Sequence, residues 1–303
     1  MIRPVVAGVD GSREGFAAAD WAAREALRRG LPLRLVHAWE AGLPEGAVEA
    51  AALPELRAPQ QHARHVLRHT LDRLAERYPQ LTVTAEQVAK PPVPALLAEG
   101  EHAELLVIGS QGPTGLGGFV SGSVAMATVA RCARPIVLVR DGAAAEDEHV
   151  PDETGGPSVR TPCREVAVAV AVDVDEPSDD VIAFAFRAAD LRRAPLRAVH
   201  AWHLPFARGL PDAAERRASV CRSAERELAE LLLPWREKYP AVSVSEVCHE
   251  GRPAHVLVPA ADGAGLLVVG LRRRATVTVP HTGPVAHALI HQVRGPVALV
   301  PHD

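Results

Sequence analysis

Apolar and polar positions follow two rhythms along this chain. Residues 4–9 form a short apolar run, the length of one buried strand. Residues 14–29 follow at helical period, with Phe16, Ala19, Ala23, Ala26 and Leu27 on one face. Then come a strand at 33–38, a helix near 60–77, a strand at 81–88 and a short helix from about 93. A strand at 105–108, a helix from about 122 and a strand at 136–139 complete the unit. Pro32 and Pro135 stand just ahead of strands, where a missing N–H is tolerated. Strands alternating with helices predict a parallel sheet with helices on both faces, a doubly wound, Rossmann-like α/β domain. Such sheets take ligands beyond the carboxyl ends of strands, where the strand order reverses.

The pattern then repeats. Residues 24–39 read REALRRGLPLRLVHAW and residues 187–202 read RAADLRRAPLRAVHAW, with 10 of 16 positions identical at an offset of 163. At that offset Asp10 falls on Asp173, and each aspartate ends an apolar run. Tyr78-Pro79 matches Tyr239-Pro240, and residues 134–139 match 295–300, at an offset of 161. A period this long means a duplicated domain rather than a solenoid. The expected layout is a first domain at 1–140, a linker at 141–162 and a second domain at 163–303. The linker stretch is rich in acid, Gly and Pro and nearly free of large apolar residues.

Composition changes this picture little. Hydrophobic residues make up 48% and charged residues 23%, with a formal net charge of −4. That balance argues against a broad nucleic-acid surface, which needs a basic excess. Cys132, Cys163, Cys221 and Cys248 form no CxxC pair, so a reducing compartment is expected. With no signal-peptide pattern and no apolar stretch of membrane-spanning length, the expectation is a cytoplasmic chain without membrane contact.

The loop after strand 105–108 carries the chemistry. Residues 109–123 hold six glycines, at 109, 112, 115, 117, 118 and 122. Glycine lets the backbone approach a ligand closely. Ser123 opens a helix whose first N–H groups and dipole favour an anion. No Gly-Lys-Ser/Thr follows, so this is not a Walker loop. The spacing Gly109-x2-Gly112-x9-Gly122-Ser123, with the early VVAGVDGS and the VHAW strand end, resembles the universal stress protein family in tandem-domain form.

The resemblance implies ATP as the ligand. It implies that Asp10, with Gly8 and Val9, meets the adenosine moiety and that Ala38 offers backbone contacts to adenine. It implies a phosphate and ribose cradle of Gly109, Ser110, Gly112, Gly122, Ser123 and Val124, with Mg²⁺ as a possible companion of the phosphates. With strand order 3-2-1-4-5, Asp10 and Gly109 follow the two strands that flank the switch point. The resemblance also implies homodimerisation. Separately, the apolar last strand of each half suggests that the halves pair as an intramolecular pseudo-dimer.

The second copy reads as degraded. Gly270 and Gly283 keep their spacing, but Arg273 stands where the second glycine belongs. Pro284 replaces the Ser/Thr, losing a hydroxyl and an N–H donor. The β-branched run Thr276–Val279 resists φ > 0. An alternative keeps Asp173 and Ala201 for adenosine and uses Arg272–Arg274 on phosphates. His62, His65 and His69, and the pair His287 and His291, have helical spacing. No adjoining Cys, Asp or Glu completes either as a metal set, so exposed helix faces are expected. His37 and His200 sit at strand ends beside the expected pockets and have no catalytic role in this reading. The expected function is an ATP-binding stress-response or regulatory protein without enzymatic turnover. The alternatives are an ATP hydrolase on the same fold and a binding-silent scaffold with an unknown protein partner.

Overall fold

The computed structural model describes residues 2–40, 54–110, 123–156, 158–170, 179–203, 213–272 and 282–302. Two compact units divide between Ala144 and Ala145. The first contains β1 (Val5–Gly8), α1 (Arg13–Arg29), β2 (Leu33–Ala38), α2 (Pro54–Arg77) and β3 (Val83–Val88). It continues with α3 (Pro92–Glu101), β4 (Leu105–Ser110), α4 (Ser123–Val129) and β5 (Ile136–Arg140). All pairings are parallel, in the order β3-β2-β1-β4-β5. β1 lies between β2 and β4, with Val5 opposite both Leu33 and Leu105. The expected strand order holds.

The second unit repeats the plan with β6 (Val166–Ala169), α5 (Asp179–Arg192), β7 (Leu196–Trp202), α6 (Ala213–Lys238) and β8 (Val244–Glu250). It ends with α7 (Pro253–Ala260), β9 (Leu266–Arg272), α8 (Pro284–Gln292) and β10 (Val297–His302). The order is β8-β7-β6-β9-β10, again parallel. Central strands in both units are Val-, Leu-, Ile- and Ala-rich and buried, as a sheet covered on both faces requires.

Helix ends show why these segments fold as they do. Ser12 caps α1, its hydroxyl accepting from the Gly15 N–H at 2.9 Å. Gly30 ends the helix in the left-handed region at φ 63°. The Leu31 N–H then donates to Ala26 at 2.9 Å, and in the second unit the Ala194 N–H donates to Ala189 at 3.0 Å. The two exits superpose bond for bond at an offset of 163. Arg193 takes the glycine's place, with φ 49°.

The sheet register shows where the two copies fall out of step. The Val9 N–H donates to Val36 and the Val170 N–H to Val199, each at 2.9 Å. Val9 therefore corresponds to Val170, at an offset of 161. That register holds through Val170, and residues 171–178, where the two copies fall out of step, lie outside the described residues. The second copy has two extra residues between its first strand and first helix. Asp173 itself lies outside the described residues.

The expected linker is also shorter than its composition suggests. Residues 141–144 belong to the first unit, and the second begins at Ala145. The Arg164 N–H donates to Glu148 at 2.8 Å, and the Val150 N–H to Pro162 at 2.9 Å. His149 and Cys163 form an antiparallel bridge. Asp152 accepts from the Thr154 N–H, the Thr154 hydroxyl and the Gly156 N–H, which holds its carboxyl below the usual range. Its acidic, Gly- and Pro-rich residues thus supply the hydrogen bonds of tight turns. No helix among the described residues is long and apolar enough to cross a membrane.

Candidate functional site

Beyond the carboxyl ends of β1 and β4, at the switch point, the first unit holds a cavity of about 280 Å³. Gly8, Val9, Asp10, Ala38, Gly109, Ser123 and Val124 all line it. These are seven of the ten residues singled out from the sequence. Ser110 is buried at the end of β4 and does not line the cavity. Gly112 and Gly122 lie outside the described residues. The apolar walls, Val36, Pro92, Leu96 and Ile108, went unnoticed in the sequence. The signal for Pro92 and Leu96 was the apolar face of the helix opening at Pro92, and for Val36 and Ile108 their places in the apolar strands β2 and β4.

The two glycines that frame the cavity serve different ends. A Cβ on Gly8 would stand 2.7 Å from Leu96 Cδ2, within the cavity wall. A Cβ on Gly109 would stand 2.6 Å from the Glu14 carbonyl carbon and 2.8 Å from the Gly15 nitrogen. Gly109 is thus required by the close approach of the α1 backbone, whatever else it meets. Gly15 in turn makes room for Asp10, whose Oδ1 would lie 2.5 Å from a Cβ there. Asp10 Oδ1 accepts from the Ser12 N–H at 3.0 Å and from the Ser12 hydroxyl. Asp10 is otherwise exposed at the mouth of the cavity. β2 runs two residues past Val36, which faces Gly8, and so carries Ala38 to the rim.

His37 is buried, and its ring and that of His62 meet in a T-shaped arrangement at 6.0 Å between centroids. Burial lowers its pKa, His62 lowers it further, and a Val9 backbone hydrogen bond and Asp10 oppose the shift. Burial beneath the strand end thus favours the neutral ring. His62, His65 and His69 are exposed along α2, with His65 and His69 stacked at 6.4 Å. His287 and His291 are 4.3 Å apart on α8. Among the described residues, no group of three His, Cys, Asp or Glu side chains is arranged to hold a metal ion.

The universal stress protein family model matches residues 1–140 and 167–301. The chain belongs to the universal stress protein family. Universal stress protein Rv2005c of Mycobacterium tuberculosis is 33% identical over 303 residues, covering 97% of this chain and 95% of that protein. Universal stress protein Rv2623 of the same organism is 32% identical, covering 97% and 94%. Among solved structures, a universal stress protein from Archaeoglobus fulgidus has a TM-score of 0.62 at 13% identity, covering 99% of this chain and 98% of that one. That likeness shows the fold. With relatives of matching length, the tandem form of the family is the form of this chain.

The second universal-stress-protein unit has a cavity in the corresponding place, of about 580 Å³. Its walls match those of the first at an offset of 161: Ala169 for Gly8, Pro253 for Pro92, Leu257 for Leu96, Gly270 for Gly109, Pro284 for Ser123. Ala201 corresponds to Ala38 at an offset of 163. His200 Nδ1 meets the Val170 carbonyl at 3.0 Å, and so takes the proton there. Gly270 lets the His302 ring lie against the strand, since a Cβ would come within 2.7 Å of its Nε2. Arg273, Arg274 and the run Thr276–Val279 lie outside the described residues.

Proposed function

We propose that the first half binds an adenine nucleotide, with ATP the expected ligand, and acts as a stress-response or regulatory switch without turnover. The convergence of Gly8, Asp10, Ala38, Gly109 and Ser123 on one cavity at the switch point carries this reading. The cavity's size is near the lower end of ligand sites, roughly 300–1,000 Å³. It fits the nucleoside end of the ligand. Gly8 leaves the space open, Pro92, Leu96 and Ile108 give apolar walls, and Asp10 supplies an acceptor for sugar hydroxyls. Ser123 and Val124, opening α4, stand where the phosphates would leave the cavity.

The reading without turnover rests on the same wall. No Lys or Arg lines this cavity among the described residues, and its acids are Asp10 and Glu14. Phosphoryl transfer needs a cation clamp on the transferring group. Mg²⁺ accompanying the phosphates, with Ser123 as a neighbour, would supply charge but not a water-positioning base. The halves are read as an intramolecular pair, from the apolar last strand of each, and small-angle scattering showing two independently tumbling halves would overturn that. Homodimerisation is a further expectation from the family.

Native mass spectrometry of freshly purified protein tests the central reading. One retained adenine nucleotide per chain is expected, and Asp10→Ala should weaken ATP binding about tenfold, the size of one charge-assisted hydrogen bond. Unchanged affinity in that variant, or two equal sites per chain, would overturn the assignment. Hydrolysis at about 1 s⁻¹ or faster, lost on mutation of the site, would make the protein an enzyme.

A further inference from the structure

The cations of the first half gather in one cavity and leave another. A groove of about 530 Å³ between α1 and α2 is lined by Arg13, Arg73 and Arg77. The cavity at the switch point is lined by two acids, Asp10 and Glu14, and among the described residues by no Lys, Arg or His. Residues 41–53 and 111–122, outside the described residues, contain no Lys, Arg or His, so neither loop can bring one. No residue of α2 lines this cavity among those described.

Glu14 stands where the phosphate loop begins. Its backbone packs on Gly109, where an added Cβ would lie 2.6 Å from the Glu14 carbonyl carbon. Its carboxylate therefore stays within one side chain's length of the first loop glycine. Glu14 is half-buried, and among the described residues its carboxylate has no hydrogen-bond or ion-pair partner. Asp10, by contrast, accepts from the Ser12 N–H and hydroxyl. A glycine loop without cations answers phosphate with partial charges only, and a whole helix end amounts to about half a unit. A carboxylate carries a full unit of the opposite effect. Val36, Pro92, Leu96 and Ile108 give the same cavity apolar walls, which weaken the screening of that repulsion.

We infer that Glu14 sets the selectivity of this site for phosphate charge. It disfavours each added phosphate, so without a divalent cation AMP binds more tightly than ATP. The inference rests on the reading of this cavity as an adenine-nucleotide site and ranks the ligands within that class.

Calorimetry on the full chain in EDTA, with adenosine, AMP and ATP, tests it. The wild type should bind AMP about tenfold more tightly than ATP. Glu14→Gln should bring the two together, and Glu14→Lys should reverse their order. Glu14→Asp, which keeps the charge, should keep the wild-type order. The ratio of AMP to ATP affinity is the readout, and a merely structural loss would not move it. Added KCl should tighten ATP binding in the wild type, because salt screens repulsion, and not in Glu14→Gln. ATP held as tightly as AMP by the wild type, or a ratio indifferent to the charge at position 14, would overturn the inference and leave the adenine-nucleotide reading standing. Absence of binding by adenosine, AMP and ATP alike would overturn that reading and the inference with it.

Discussion

Helices α1 and α5 occupy the same place in their units and fill it with opposite chemistry. In α1, Asp20, Arg24 and Glu25 are all buried. Asp20 meets Arg24, Arg77 and the Tyr78 hydroxyl, and Glu25 meets Arg29 at 2.7 Å with both side chains 1% exposed. In α5 the corresponding residues are Ala183, Arg187 and Ala188, and Arg187 is exposed. Phe186 stands where Ala23 stood and is fully buried. Its ring packs on Trp235 at 6.2 Å and Tyr239 at 5.7 Å. Arg192, matching Arg29, donates to the Ala188 carbonyl at 3.2 Å. One backbone thus tolerates an ionic and an aromatic interior. The fold requires that the space be filled and the buried charges be paired, and not that charges be present.

The largest expected effect tests this directly. Glu25→Ala removes the carboxylate that meets the buried Arg29 at 2.7 Å, while Glu104 stands further off at 3.7 Å. It should destabilise the first half by about 3 kcal/mol or more. Denaturant unfolding should then show the first half melting ahead of the second; an unchanged profile would show the pair to be dispensable.

The glycine pair separates binding from folding. Gly8→Val displaces the flexible end of Leu96 and fills the cavity, so ATP affinity should fall about 100-fold, roughly 2.7 kcal/mol, with little change in melting temperature. Gly109→Ala collides with the α1 backbone and should lower the melting temperature first. Calorimetry and thermal melting on both variants check the contrast, and a destabilised Gly8→Val with intact Gly109→Ala would reverse the roles assigned here.

A smaller effect runs the other way. Arg193 holds the left-handed exit conformation that Gly30 holds in the first half. Arg193→Gly should stabilise the second half by about 1 kcal/mol, seen as a higher urea midpoint for that half alone. The smallest effect is the pH response of His37. Its folded pKa lies below its ordinary value of 6.5. The unfolded chain therefore binds the proton more readily, and the contribution is present above that value and lost as pH falls through it. The stability of the first half should weaken below about pH 6.5, and less so in His37→Gln.

Much of this was legible in the sequence. The alternating periods give the strands and helices, the repeat gives two units, and the glycine spacing points to the switch point. The register of β6 was not legible, for a physical reason. Residues 166–173 read VAVAVAVD, and an alternating run looks the same when slid by two residues. Every side chain also keeps its face under that shift, so neither pattern nor burial betrays it. The pairing of Val166 with Leu196 and Leu266, and the hydrogen bond from Val170 to Val199, fix it. The polar segment after Ala145 misled similarly, because the residues that mark a loose linker also mark tight turns.

The two extra residues between β6 and α5 also bear on how the halves could exchange roles. Val170 and Val181 are 11 positions apart where Val9 and Ala18 are 9. An acid anywhere in that stretch would still lead into a connection two residues longer than the first half's. The short Asp10-Gly11-Ser12 corner that fixes the first carboxylate would not return. Recovering it takes a deletion together with substitutions, and the intermediates have no reason to work. Divergence after the duplication is therefore ratcheted: the second half has no stepwise path back to the corner of the first.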